Sequence, residues 1–169
     1  MRRRKKRGLQ KVICVLLLLV YLALLCYFLF FAESFGRDFA SAEYHYNLTL
    51  FKEIMLYWNN REQLGFWAVF INLAGNVGAF VPFGILIPTL FPKKNGYFYK
   101  VLCEGFLFSL MVESIQLVTK VGSFDVDDIL LNTIGVIIGY WIFAIARHIS
   151  NKKGKAGRVR YGSKKKTAS

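Results

Sequence analysis

Four apolar runs along the chain constrain its fold more than any other feature. They cover residues 12–32, about 66–91, about 101–119 and about 129–146. Each run is long enough to cross about 30 Å of hydrocarbon as an α-helix. The composition agrees, because 55% of the residues are hydrophobic, a larger share than an ordinary soluble domain carries. We therefore predict an all-α, polytopic membrane protein with four transmembrane helices.

A cleaved signal peptide is the alternative interpretation of the first run, which follows the basic residues 1–11. Its 21 uninterrupted apolar residues exceed the roughly 7–15 residues of a signal-peptide hydrophobic region. We therefore expect the first run to remain in the protein as a membrane anchor.

The basic residues are concentrated in three of the segments that flank the four runs. Residues 1–11 carry seven Lys and Arg, residues 92–100 carry three, and the tail 147–169 carries nine. The segments 33–65 and 120–128 carry only four between them. Because basic loops stay in the cytoplasm, this asymmetry predicts that both termini are cytoplasmic. We expect the basic ends to contact anionic lipid headgroups rather than nucleic acid, because the tail lacks a folded scaffold to present it.

The three cysteines, Cys14, Cys26 and Cys103, all lie within the apolar runs. Their number is odd and their spacing matches no metal site. We therefore expect them to act as buried apolar side chains.

Residues 33–65 form the one sizeable segment outside the predicted membrane spans, and the orientation places it outside the cell. Within it, apolar side chains recur at helical spacing opposite polar ones, namely Leu50, Phe51, Ile54, Tyr57 and Trp58 opposite Lys52, Glu53 and Asn59. This pattern predicts a short amphipathic helix lying in the membrane interface. A cap that covers the helix bundle explains the same pattern equally well.

The second run carries two asparagines, Asn72 and Asn76, which are four residues apart and share one helix face. Amide side chains at such positions hydrogen-bond across helix contacts in lipid. Pro82 removes a backbone donor and clashes with the preceding turn, so we expect a kink there. The asparagines serve either helix packing or a polar site.

Residues 113–139 place many polar side chains within apolar surroundings. Glu113 and Gln116 share a face near the outer end of the third run. The fourth run begins with a polar stripe that ends in glycines suited to a close helix contact, made of Asp125, Asp128, Asn132, Gly135 and Gly139. Asp127 directly precedes Asp128 in the sequence. An ionisable group in the membrane centre costs roughly 2.5–3.5 kcal/mol on insertion scales, so these residues require partners.

We therefore predict one polar site at the outer membrane face, formed by the last three transmembrane helices. Its expected members are the residues Asn72, Asn76, Glu113, Gln116, Asp125, Asp127, Asp128 and Asn132. A purely structural polar contact between the helices is the alternative interpretation of the same residues.

Several spaced motifs follow one another in a fixed order within residues 44–146. They are NLxxFKxI from Asn47, NxxGNxxxFxPFGxxxP from Asn72, ExxQ from Glu113 and SFDxDDxxxNxxGxxxGY from Ser123. In this order they resemble the VanZ-like family of bacterial membrane proteins. The resemblance implies a location in the bacterial plasma membrane and a link to glycopeptide resistance of the teicoplanin type. It implies no particular reaction.

The sequence departs from the family pattern at two positions. Similar proteins often carry a proline at the position of Leu50 and an arginine at the position of Gly122. Without that arginine, a cation for the acidic side chains must come from Lys120, another residue or a bound ion.

Three functions are consistent with these residues. The first is a cell-envelope accessory protein whose outward-facing acidic and amide site binds a lipid headgroup, an envelope precursor or a partner protein. The second is an intramembrane enzyme on a lipid-linked substrate, with Glu113 as general base or with a divalent cation held by Asp125, Asp128 and Glu113. The third is a small ion-coupled transporter, for example as a homodimer. The sequence identifies no cofactor and leaves enzymatic activity open.

Overall fold

A computed structural model of the chain describes residues 2–28, 44–92 and 96–166, and it describes side chains within 8–28, 44–92 and 96–152. The described elements are, in chain order, α1 (Arg2–Tyr27), β1 (Tyr46–Asn47), α2 (Lys52–Asn59), α3 (Arg61–Leu64), α4 (Phe66–Leu90), α5 (Phe98–Thr119), β2 (Phe124–Asp125) and α6 (Val126–Lys166). Part of the first apolar run, residues 29–32, and the following residues 33–43 lie outside this description.

Four of these helices are long and apolar enough to cross a membrane. The candidate spans are Gly8–Tyr27 in α1, Phe66–Leu90, Phe98–Thr119 and Val126–Lys152 in α6. This finding confirms the predicted all-α membrane fold with four long helices. Helix α6 continues beyond the apolar run, so the basic tail begins as an extension of the last helix.

Helices α4 and α6 pack closely because glycines lie where their backbones meet. A Cβ atom at Gly135 would meet the carbonyl oxygen of Val77, and one at Gly139 would meet that of Val81. Gly84 of α4 likewise faces the backbone of α6. The predicted contact of the GxxxG stripe with a neighbouring helix is therefore confirmed, and the partner is α4.

An aromatic core fills the space between α4, α5 and α6. Phe80 and Phe83 of α4 are buried against Val136 of α6. The Phe83 ring stacks on Phe108 of α5, with 5.1 Å between the ring centroids. Gly105 of α5 lets α5 lie close to α6, because a Cβ atom there would press on the side chain of Val136.

Helix α1 lies at the edge of the bundle, and most of its described side chains are exposed. Its contact with α4 includes a hydrogen bond from the Tyr21 hydroxyl to the carbonyl oxygen of Ala79, at 2.9 Å. Leu25 reaches the aromatic core. Cys14 is half-buried, whereas Cys26 and Cys103 are exposed on the surface of their helices rather than packed inside the bundle. All three lie within candidate membrane spans, so their role as apolar side chains stays a prediction.

The segment between α1 and α4 folds against one end of the bundle. Its strand β1 pairs in parallel with β2, with Tyr46 opposite Phe124 and Asn47 opposite Asp125. The predicted amphipathic helix is α2, whose residues contact both α4 and α6. Ile54 and Tyr57 are half-buried. The segment therefore covers the bundle end and also exposes apolar side chains, including Leu50, Phe51 and Trp58.

Candidate functional site

Asp125 is the most deeply buried member of the predicted site, with 0% of its surface exposed. Its carboxylate accepts hydrogen bonds from Nδ2 of Asn47, at 3.2 and 3.1 Å to the two oxygens. It also accepts the backbone N–H of Asp127 at 2.7 Å. The parallel pairing of β1 with β2 places Asn47 opposite Asp125, so the short strands position this contact.

Asp127 caps a helix that is distant in sequence. Its Oδ1 accepts the backbone N–H of Phe51, and its Oδ2 accepts those of Glu53 at 2.9 Å and Ile54 at 3.3 Å. The first N–H groups of an α-helix have no partners within the helix, and a carboxylate at this end is favoured by the helix dipole. Phe51 precedes α2 in the left-handed region, with φ of 65°. Asp127 thus fixes the start of α2 on the bundle.

Asp128 and Glu113 extend the same group of contacts to α4 and α5. The Asn76 side-chain amide donates a hydrogen bond to Oδ1 of Asp128. Oε2 of Glu113 accepts the backbone N–H of Asp125 at 3.2 Å. We refer to Asn47, Asn76, Glu113, Asp125, Asp127 and Asp128 as the polar cluster.

The polar cluster joins β1 and α2 to all three of α4, α5 and α6. Asp125 and Asp127 are stabilised by amide and backbone N–H donors. A carboxylate that accepts two or three such bonds retains much of the stabilisation that water would provide. The cluster therefore holds residues 44–59 against the helices.

Two further predicted site residues, Gln116 and Asn132, are buried in the bundle but are not members of the polar cluster. Gln116 is buried beside Gly122, where a Cβ atom would lie 3.0 Å from the Gln116 Nε2. Asn132 is buried deeper in the bundle and donates from Nδ2 to the Ser109 hydroxyl at 3.0 Å. Its Oδ1 is buried without a hydrogen-bond partner among the described residues.

Asn72 does not join the polar cluster, which corrects the prediction made from its spacing to Asn76. Its side chain is exposed on α4. The close contact at Gly84 turns one face of α4 toward α6. At about 100° per residue, Asn76 lies about 80° from Gly84 around the helix, and Asn72 about 120°. Asn76 reaches Asp128, whereas Asn72 lies one helical turn before it in α4 and is exposed on the surface of the helix.

Sequence reasoning missed Asn47 and Ser109 as members of this polar region. Asn47 opens the NLxxFKxI motif, so its position before a motif-rich segment was the available signal. Its partner Asp125 is 78 residues away. Ser109 lies in an apolar run and gave no comparable signal.

The candidate metal ligands do not form a metal site in the described part of the chain. No group of three or more His, Cys, Asp and Glu side chains suited to a metal ion occurs there. Asp125, Asp128 and Glu113 instead accept hydrogen bonds from amide and backbone donors. Lys120, one of the alternatives to the missing arginine, places its Nζ 4.5 Å from the centroid of the Tyr44 ring.

An open cleft of about 600 Å³ lies beside the polar cluster, with Asn47 in its lining, and we refer to it as the α2 cleft. Its walls come from residues 45–59 and Ser123. Its polar side chains include His45, Lys52, Glu53 and Asn59. Because the carboxylates of the cluster are mostly buried, the α2 cleft is the nearby surface that a ligand can reach.

Residues 18–147 match the model of a protein family described as VanZ/LLP1, and this region includes the whole polar cluster. The chain is also similar to "Protein VanZ" from Enterococcus faecium, with 32% identity over 85 residues. The alignment covers 50% of this chain and 52% of that protein. The chain therefore spans about half the length of the curated relative that it matches. No solved structure matches the chain.

Proposed function

Because the chain belongs to the VanZ-like family, we propose that it is an accessory protein of the bacterial cell envelope that lowers susceptibility to teicoplanin-type glycopeptides. It acts from the plasma membrane as a multi-pass protein. The similarity to Protein VanZ and the four long apolar helices support this proposal.

In this proposal the polar cluster and the α2 cleft face the outside of the cell. The distribution of Lys and Arg supports this orientation, because the basic residues are concentrated in segments 1–11, 92–100 and 147–169. The opposite ends of the same helices carry the polar cluster.

The observation that carries the proposed binding role is that the carboxylates of the polar cluster form hydrogen bonds within the protein. Asp127 holds α2 through three backbone N–H groups, and Asp125 holds β1 through Asn47. The cluster thereby shapes the α2 cleft, whose volume of about 600 Å³ falls in the usual range of ligand pockets. The ligand in this proposal is a lipid headgroup, an envelope precursor or a polar segment of a partner protein.

Lys52 gives the α2 cleft a cation for a phosphate or carboxylate group of the ligand. We do not extend the proposal to catalysis, because the carboxylates suited to a base or a metal accept hydrogen bonds within the cluster. The transporter hypothesis has no specific contact in its favour.

Teicoplanin susceptibility in a host that lacks this protein tests the proposal. Expression of the chain should raise the inhibitory concentration of teicoplanin, and Lys52→Glu should abolish that increase at equal membrane abundance. The matched control is Lys100→Glu, since Lys100 lies at the opposite end of the bundle and contacts the Tyr97 ring. Unchanged susceptibility despite normal insertion of the parent chain would contradict the proposal.

A further inference from the structure

A second depression runs along the first half of α4, and we refer to it as the α4 groove. Its volume is about 410 Å³. One wall consists of apolar residues of α4, namely Val69, Phe70, Leu73, Ala74, Val77 and Gly78. Leu131 of α6 contributes to the opposite side. The small side chains at Ala74 and Gly78 create the recess, and a Cβ atom at Gly78 would meet nothing within 4 Å.

Arg61 is the charged residue among those that line the α4 groove. Its Nη1 donates to the carbonyl oxygen of Trp58 at 2.8 Å, and its guanidinium carbon lies 5.1 Å from the centroid of the Trp58 ring. These contacts hold the guanidinium group in place. An arginine has five N–H donors, so Arg61 retains donors for a phosphate, which guanidinium binds with two parallel hydrogen bonds.

Aromatic rings near Arg61 indicate its depth in the bilayer. Phe66, Trp67 and Phe70 contact one another through their rings, and all three are exposed. Exposed tryptophans collect at the level of the lipid headgroups. The α4 groove continues from Phe66 to Gly78, about 18 Å along the helix at 1.5 Å per residue. It therefore extends from headgroup depth into the hydrocarbon region.

We propose that the α4 groove binds an anionic phospholipid, with the phosphate at Arg61 and one acyl chain against Ala74 and Gly78. The apolar walls suit an acyl chain, and the single cation suits a negatively charged headgroup. A volume of about 410 Å³ lies within the range of ligand pockets. The groove is distinct from the α2 cleft, with α2 contributing residues to both, and its lipid binding does not depend on the proposed resistance function.

Native mass spectrometry of the delipidated chain of residues 1–169 tests this proposal, with phosphatidylglycerol and phosphatidylcholine of identical acyl chains as probes. The wild-type protein should bind phosphatidylglycerol at least tenfold more tightly than phosphatidylcholine. Arg61→Gln should abolish this preference. Gly78→Leu should weaken the binding of both lipids at least tenfold, because the new side chain occupies the groove.

Gly75→Leu is the matched control, since a Cβ atom at Gly75 also meets nothing within 4 Å while Gly75 does not line the groove. This variant should bind both lipids as the wild type does. Thermal unfolding of each variant verifies that the fold is intact. Equal affinity of the wild type for the two lipids would overturn the proposal. Unaltered lipid binding by Gly78→Leu would also overturn it. If a second copy of the chain occupied the groove instead, the wild type would form a dimer that Gly78→Leu disrupts without weakening lipid binding, and this result too would overturn the proposal.

Discussion

The carboxylate of Asp127, in the first turn of α6, accepts the backbone N–H of Glu53 in α2 at 2.9 Å. It also accepts the N–H groups of Phe51 and Ile54. A carboxylate from one helix therefore caps the start of another, and only 1% of the Asp127 surface is exposed. This contact explains why an aspartate is tolerated at a buried position where an unpartnered charge would be costly.

Replacement of Asp127 with alanine should release the start of α2. Loss of a helix cap costs about 0.5–2 kcal/mol, and the backbone N–H groups of Glu53 and Ile54 would lose their acceptor. We expect hydrogen exchange at these two amides to become roughly tenfold faster if about 1.4 kcal/mol of local stability is lost. The control is Glu62→Ala, because Glu62 is exposed on α3. Equal exchange in the parent and Asp127→Ala would contradict the capping role.

Asn76 and Asn72 should respond differently to the same substitution. Asn76→Leu removes the donor to Asp128 and should lower the free energy of unfolding by about 0.6–1.7 kcal/mol, the size of polar contacts measured between membrane helices. Asn72→Leu should leave stability unchanged or raise it, because Asn72 is exposed on the helix surface. Reversible unfolding in mixed micelles measures both. A larger loss for Asn72→Leu would show that α4 is rotated differently.

The close glycine contact between α4 and α6 predicts that alanine destabilises the protein at Gly135 but is tolerated at Gly75. Gly135→Ala places a methyl group against the Val77 carbonyl oxygen, so the helices must separate. Overpacking of this kind costs about 1–3 kcal/mol. Gly75→Ala should be tolerated, since its surroundings are open. Thermal unfolding in detergent compares the two, and equal midpoints would contradict the close contact.

The four long helices were predictable because length and apolar composition are local properties of the sequence. The glycine contact of α6 was also predictable, since Gly135 and Gly139 are four residues apart and share a helix face. The partner of Asp125 was not, because Asn47 reaches it through a parallel pairing across 78 residues. The capping role of Asp127 was missed for a similar reason, since capping patterns are read within one helix.

The rotation of α4 could not be read from the spacing of its asparagines. Asn72 and Asn76 are close enough in sequence to share a face in principle. The close contacts of Val77, Val81 and Gly84 with α6 determine which asparagine faces the cluster. Such a contact depends on two helices that are separated by α5 along the chain.

Swapping the side chains at positions 47 and 125 tests whether the Asn47–Asp125 contact is essential to the polar cluster. Asn47→Asp alone sets two carboxylates against each other, and like charges in contact are destabilising. Adding Asp125→Asn restores an amide donor and a carboxylate acceptor in the reverse direction. The amide oxygen that the double variant carries at position 125 can still accept the N–H of Asp127.

The most direct measurement is the hydrogen-exchange rate of the Phe124, Glu53 and Ile54 amides in these variants. Phe124 N–H donates to the carbonyl oxygen of His45, and the other two donate to Asp127. We predict rapid exchange in Asn47→Asp and a return toward the parent rate in the double variant. Exchange in the double variant as fast as in Asn47→Asp would contradict the claim that this pair holds residues 44–59 on the bundle.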